Sequence, residues 1–185
     1  MKLTNESQLL VKNWDAYQDI LKARKGLEKD FSKLLARLAE RLQKQEWWDK
    51  DKTGWSVWLS GNEFCFSEHK WEVNDNHLII VGVEYFDPDK FLGDEQGHPL
   101  LYVYVTERYP ELNAELHKII KSKKHLINEL NPKPADQCIV RKEMDNCLPE
   151  EIDTLEERAF KQLSDFCRNY SQLFGEFDKV AQKYL

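Results

Sequence analysis

Glycine is scarce in this sequence, and the motifs that depend on closely spaced glycines are missing. The 185 residues include seven glycines, and G-x-x-x-x-G-K-[ST], G-x-G-x-x-G and G-x-S-x-G do not occur. Phosphate-cradling loops and nucleophile elbows need such spacing. H-E-x-x-H is also absent, and the five histidines form no i, i+4 pair. The sequence therefore predicts no catalytic residue, no metal site and no cofactor, and it favours a protein that is not an enzyme.

Closely spaced cysteines and long apolar runs are also lacking. The four cysteines are scattered without a C-x-x-C pair, which argues against a zinc ribbon or a redox motif. Scattered thiols in a chain of this size are typical of a reducing compartment. No apolar run approaches the length of a membrane span, and the first residues lead into polar sequence without an apolar signal segment. We therefore expect a cytoplasmic protein without a membrane segment.

Basic residues are outnumbered by acidic ones. Lys and Arg total 27 against 33 Asp and Glu, which gives a formal net charge of −6. Binding to duplex DNA relies on clustered Lys and Arg that neutralise phosphates, so this balance disfavours nucleic acid as a partner. It fits an acidic protein that contacts another protein through a basic surface of that partner. With 41% hydrophobic residues, the chain is typical of a single globular domain over 1–185.

Alternating apolar residues place a sheet at the centre of the predicted fold. The two strongest strand patterns, 78–86 and 99–106, flank an acidic loop at 87–98. Gly61-Asn62 between two further patterns predicts a β-hairpin. Short connections join adjacent antiparallel strands, so we expect a mainly antiparallel sheet of four to five strands. The predicted strands lie near 55–60, 63–72, 78–86, 99–106 and 137–142.

Helical periodicity surrounds this sheet and completes a predicted α+β class. An N-terminal pattern begins with Asn5 as N-cap and predicts two amphipathic helices, or one helix kinked near Gly26, ending around Gln45. Their apolar stripes are predicted to face the core, and the alternative is that part of the first helix is a docking surface. A further helix is predicted near 110–124. A last helix from Pro149 would be about 50 Å long, so it either bends near Gly175 or projects.

The two central strands divide into an apolar side and a mixed side. The apolar side is predicted to lie under the helices and consists of Ile79, Val81, Val83, Tyr85, Leu101, Val103 and Val105. Glu84, Tyr102 and Tyr104 fall on the other side, with Trp58 alongside. The neighbouring loop adds Asp87, Asp89, Asp94 and Glu95. We predict that this face and loop form the binding surface of the protein.

Three hypotheses of function follow. The first is a non-catalytic protein-binding module, such as an inhibitor, immunity or adaptor protein, acting through this acidic, aromatic-bearing surface.

The second hypothesis starts from the order of helices and strands, which resembles the core of restriction-endonuclease-like nucleases. That resemblance implies Glu84 and neighbouring aspartates as metal ligands, but Glu84-Tyr85-Phe86 lacks the lysine of the Glu-x-Lys motif. A divergent or degenerate nuclease is therefore the alternative.

The third hypothesis is a homodimeric structural protein. From Leu163 onward the apolar residues of the last predicted helix alternate at spacings of three and four. Such a heptad-like seam is typical of helices that pair. Residues 152–184 would form the dimer contact in that case, while packing of the same seam on the N-terminal helices is the other interpretation.

Overall fold

Five antiparallel strands form the main sheet in a computed structural model of the chain. The structure describes residues 4–48, 54–92, 98–123, 137–145 and 149–185. The strands are β1 (Trp55–Ser60), β2 (Glu63–Glu68), β3 (Glu72–Val73), β4 (Asn76–His77), β5 (Ile79–Glu84), β6 (Leu100–Val105) and β7 (Cys138–Glu143). The main sheet has the order β1-β2-β5-β6-β7, and β3 and β4 form a separate hairpin. The predicted class and the antiparallel sheet are confirmed.

The helices are α1 (Asn5–Lys12), α2 (Trp14–Leu42), α3 (Pro88–Leu92), α4 (Pro110–Ser122), α5 (Leu155–Ser171) and α6 (Phe174–Ala181). Thr4, not Asn5, is the N-cap of α1, because its side chain accepts a hydrogen bond from the backbone N–H of Ser7. The break between the first two helices lies at Asn13, and α2 continues through Gly26 without interruption. The interruption of the helical pattern that was predicted near Gly26 therefore lies at Asn13, because a single glycine weakens a helix without ending it.

The predicted strand 63–72 is shorter than expected. β2 ends at Glu68, and His69–Trp71 form a 3₁₀ turn that leads into β3. This turn inserts Trp71 completely into the core, where its indole N–H bonds to Asp178. Burying this large side chain with its polar atom bonded to Asp178 favours the turn over a continued strand.

The C-terminal helical segment bends, as one of the two predicted alternatives stated. A 3₁₀ turn at Pro149–Thr154 precedes α5, and α6 begins at Phe174, beside Gly175. The seam between Leu155 and Ala181 is buried against the rest of this chain. A dimer through these side chains would therefore require the helices to leave the core.

The core lies between one side of the sheet and the helices. The predicted apolar side is buried as expected at Ile79, Val81, Val83, Leu101, Val103 and Val105. These residues face each other in register across β5 and β6, and they share one cluster with side chains of α2, α4, α5 and α6. Burial of such aliphatic side chains contributes about 1.5–3 kcal/mol each. Tyr85 does not belong to this side: it follows the end of β5 with a φ of 58° and is 47% exposed.

A cluster of aromatic rings closes one end of the core. Trp48 is buried and stacks on Trp55, with ring centroids 5.0 Å apart. Phe174 contacts both Trp55 and Trp71. Trp47 remains half-buried beside Trp48. Of the two adjacent tryptophans, one therefore seals the core, and the other stays partly exposed.

Residues 5–23, which we call the N-terminal arm, differ from the rest of the fold. Neither α1 nor α2 contains a buried residue before Phe31. The exposed apolar side chains of the arm are Leu9, Leu10, Val11, Trp14 and Ile20. The prediction that these stripes face the core is therefore wrong for the arm. None of the helices in the described ranges combines the length and apolar character needed to cross a membrane.

Candidate binding surfaces

The sheet side that faces away from the core helices carries the predicted site residues. Across the strands, Trp58 lies opposite Cys65, Cys65 opposite Gly82, and Gly82 opposite Tyr102. Side chains that lie directly opposite each other in an antiparallel sheet share a face. Trp58 and Tyr102 therefore lie in one row of this face, which we call the outer face.

Gly82 brings two strands of the outer face into close contact. A Cβ atom at this position would lie 2.4 Å from the carbonyl oxygen of Phe64 and 2.5 Å from the Cβ of Cys65. Such distances are well inside van der Waals contact. The glycine is thus required by the close approach of β5 to β2, and it leaves no side chain between Cys65 and Tyr102 on the outer face.

The hydroxyl of Tyr102 is held by a carboxylate. This hydroxyl donates a hydrogen bond of 2.9 Å to Glu63, and the residue is 6% exposed. Burial, and then the neighbouring Cys65 and Glu63, raise the pKa of the Tyr102 hydroxyl. Burial also raises the pKa of the Cys65 thiol to about 11. Since nucleophilic attack requires the thiolate, the burial of Cys65 disfavours a nucleophilic role.

Glu84 lies one row further, at the end of β5. Its cross-strand neighbourhood includes Glu63, because the adjacent residues Phe64 and Val83 are paired. Burial, followed by repulsion from Glu63, raises the pKa of Glu84, whereas Arg141 acts in the opposite direction. Two carboxylates close together favour a basic group between them. Arg141, whose charge lowers the pKa of Glu84, is the basic group of this chain next to the two carboxylates.

Two more aromatic residues lie on the outer face and remain half-exposed. The ring of Trp58 meets the ring of His77 edge-on, with centroids 4.4 Å apart. Tyr104 lies opposite Ile80 on the neighbouring strand. Burial is the main cause that raises the pKa of the Tyr104 hydroxyl. The structure thus brings Trp58, Glu84, Tyr102 and Tyr104 onto one surface.

The aspartates of the acidic loop have structural partners instead. Asp87 accepts hydrogen bonds from the backbone N–H of Lys90 and from the side chain of Asn62. Asp89 forms an ion pair of 2.5 Å with Arg24. Both aspartates border a groove of about 330 Å³ next to Glu28 and Ser32 of α2. Asp94 and Glu95 lie outside the described residues.

The residues assigned to the nuclease alternative do not converge. In the described part of the chain, no three His, Cys, Asp or Glu side chains lie where they could hold a metal ion. Glu84 interacts with Glu63 and Arg141, and Asp87 and Asp89 have the partners given above.

The outer edge of β1 was not predicted, whereas the exposed N-terminal arm was considered only as the alternative in which part of the first helix is a docking surface. Within the described residues, β1 pairs only with β2, and Val57 and Leu59 are 39% and 48% exposed. The sequence carried a signal for the edge, since Trp55–Ser60 contains no charged residue and no proline.

No protein-family model, no curated protein and no solved structure matches the chain.

Proposed function

We propose that this chain is a non-catalytic protein-binding module that contacts its partner through the N-terminal arm. The observation that supports this proposal is the exposed apolar stripe of the arm. Within α2, Tyr17 and Ile20 follow the spacing of the core-facing residues that begin at Phe31. The same face of α2 is therefore buried by this chain in its C-terminal half and uncovered in the arm, where Leu10 of α1 lies beside it.

The extent of the stripe favours a macromolecular partner. From Trp14 to Leu27, the last exposed apolar residue before buried Phe31, the helix extends about 20 Å at 1.5 Å per residue. α1 and α2 also enclose a groove of about 380 Å³, whose lining is mainly apolar and includes Leu9, Leu10, Ala16, Tyr17 and Ile20. Large exposed apolar patches mark interaction sites, and an amphipathic helix binds through anchors at i, i+3, i+4 and i+7.

The outer face is the second contact area in this proposal. Half-exposed Trp58 and Tyr104 provide aromatic contacts, and Glu63 and Glu84 provide negative charge for a basic surface of the partner. An adaptor, inhibitor or immunity protein of the cytoplasm would use such surfaces. The nuclease alternative is not carried further, because no specific observation favours it.

Site-specific photo-crosslinking in cells tests the proposal. A photoreactive amino acid at Ile20 is expected to capture a different protein as a discrete product. A second chain, labelled at Leu10, should capture the same protein. Ile20→Glu in this second chain should abolish its crosslinked product, because a charge on the apolar stripe must be desolvated on binding. Lys22→Glu is the matched control: it introduces the same side chain at an exposed position two residues along the same helix, and the product should persist.

Two results would contradict this function. One is the absence of any product from Ile20 above that obtained from a probe at Glu107, an exposed position outside both surfaces. The other is equal capture by the wild type and the Ile20→Glu variant. Circular dichroism of the purified variants confirms that the fold is intact in each comparison.

A further inference from the structure

The two edges of the main sheet are protected very differently. β7 forms one edge, carries Arg141, Lys142 and Glu143, and contacts α4. Charged side chains and a covering helix are means by which proteins prevent edge-to-edge association. β1 forms the other edge and has neither a charge nor a proline. Within the described residues, the β1 side of the sheet is therefore the edge that lacks both charged residues and a covering helix.

The backbone of β1 supplies the groups that such a strand needs. In an antiparallel sheet, alternate residues direct their N–H and C=O groups toward either neighbour. β2 takes the inner set, in continuous register from Trp55 to Ser60. Among the described residues no group outside β2 bonds to β1. The outer set is thus available over a stretch of six residues, which is a typical strand length.

The side chains of β1 are self-complementary. In an antiparallel pair centred on Trp58, Val57 lies opposite Leu59 of the second strand, and Ser56 lies opposite Ser60. Val57 and Leu59 are both exposed, so each would bury apolar surface against the other. The two Trp58 side chains would meet on the outer face between small serines. No like-charged residues oppose each other in this register.

The negative charge of the chain does not oppose this pairing. The nearest acidic residue on the outer face is Glu63, which lies opposite Ser60 on β2. In the symmetric pair, the two Glu63 residues would be three strand spacings apart across the sheet and four residues apart along the strands, or about 20 Å in total. This distance exceeds the screening length of about 8 Å at physiological ionic strength.

From these observations we propose that the partner of the β1 edge is a second copy of this chain. Two molecules pair β1 with β1 in antiparallel orientation about Trp58 and form a continuous ten-stranded sheet. The contact is isologous, as expected for a symmetric dimer, and it closes because each molecule has one open edge. It uses the β1 edge and not the arm, and it assigns Trp58 to a second copy, which leaves Tyr104 and Glu84 of the outer face to the partner of the proposed function. It therefore goes beyond that function. It also differs from a dimer through residues 152–184, whose apolar seam is buried within the chain.

Sedimentation equilibrium of the full chain and its edge variants tests the dimer. The wild type is expected to have twice the monomer mass, and Val57→Lys and Leu59→Lys are expected to be monomers, because a lysine on an edge strand blocks pairing. Both positions are exposed, so the fold should persist in circular dichroism. Glu107→Lys, an exposed change outside β1, and Ile20→Glu in the arm should both remain dimers.

Disulfide trapping tests the register. An equimolar mixture of Ser56→Cys and Ser60→Cys chains should form a mixed disulfide between these two positions, identified by mass spectrometry of the linked peptides.

A wild type that remains a monomer at the highest soluble concentration would overturn the proposal. A dimer that persists in Val57→Lys, or one that is lost in Ile20→Glu, would also overturn it. Loss of the dimer in Ile20→Glu would show that the arm is the dimer contact. Capture of a different protein by the probe at Ile20 tests the proposed function independently of this result.

Discussion

Trp71 and Asp178 connect the sheet to the last helix by a hydrogen bond of 2.8 Å between the indole N–H and a carboxylate oxygen. Lys70 forms an ion pair with the other oxygen of Asp178, at 2.7 Å, and a second one with buried Glu68. The carboxylate therefore fastens the 3₁₀ turn after β2 to α6. Trp71 itself has no exposed surface and packs on Phe174.

We expect Trp71→Phe to lower the free energy of unfolding by about 2–4 kcal/mol, because it removes a hydrogen bond to a charged group and leaves a void. Urea unfolding measures the effect. A double-mutant cycle with Asp178→Ala should give a coupling of about 1.5 kcal/mol, which isolates the bond from the loss of volume. Additive effects of the two substitutions would show that the bond does not stabilise the fold.

The sequence predicted the sheet well because one face of each central strand is buried. Period-two alternation identifies such strands, and the register of β5 with β6 follows from matching their apolar sides. The arm could not be predicted in this way. An amphipathic stripe has the same spacing whether its own chain or another molecule covers it, and Ile20 and Leu35 differ only in their tertiary surroundings.

The candidate site was predicted in part for a similar reason. Glu84, Tyr102 and Tyr104 share a face because they alternate on neighbouring strands. The bond between Tyr102 and Glu63 depends on the order of β2, β5 and β6 and on the close approach at Gly82. Asp89 was placed with the site by proximity in sequence, but an ion pair with Arg24, 65 residues away, holds it next to α2.

The two proposed surfaces would act together. A dimer paired at β1 carries two N-terminal arms, one on each molecule. A partner with two binding sites, or a dimeric partner, would then bind more tightly than to a single arm because its second contact is intramolecular. Edge variants such as Val57→Lys would weaken binding of a bivalent partner without changing the contact of each arm.

Gly82→Ala is expected to destabilise the fold by about 3 kcal/mol or more, because the new methyl group would overlap the backbone carbonyl of Phe64 and the side chain of Cys65. Gly26→Ala is the matched control. It lies within α2 with no atom within 4 Å of the new methyl group, and it should stabilise the helix by about 0.5–1 kcal/mol. Urea unfolding of both variants gives the comparison. Equal stability of Gly82→Ala and the wild type would refute the close approach of β2 and β5.

Glu84→Gln tests the electrostatics of the outer face through the pH dependence of stability. Burial and the neighbouring Glu63 raise the pKa of Glu84, so the folded chain binds this proton more tightly than the unfolded chain. Stability from this group is therefore present below the ordinary glutamate pKa of about 4.3 and is lost as pH rises through the higher pKa of the folded state. We expect Glu84→Gln to raise the free energy of unfolding at pH 7.5 and to have a smaller effect at pH 4, where the carboxyl is largely protonated.

Glu107→Gln, at an exposed position, controls for the change in net charge. A gain that is the same at both pH values, or no larger than that of Glu107→Gln, would show that Glu63 and Glu84 do not form a strained acidic pair.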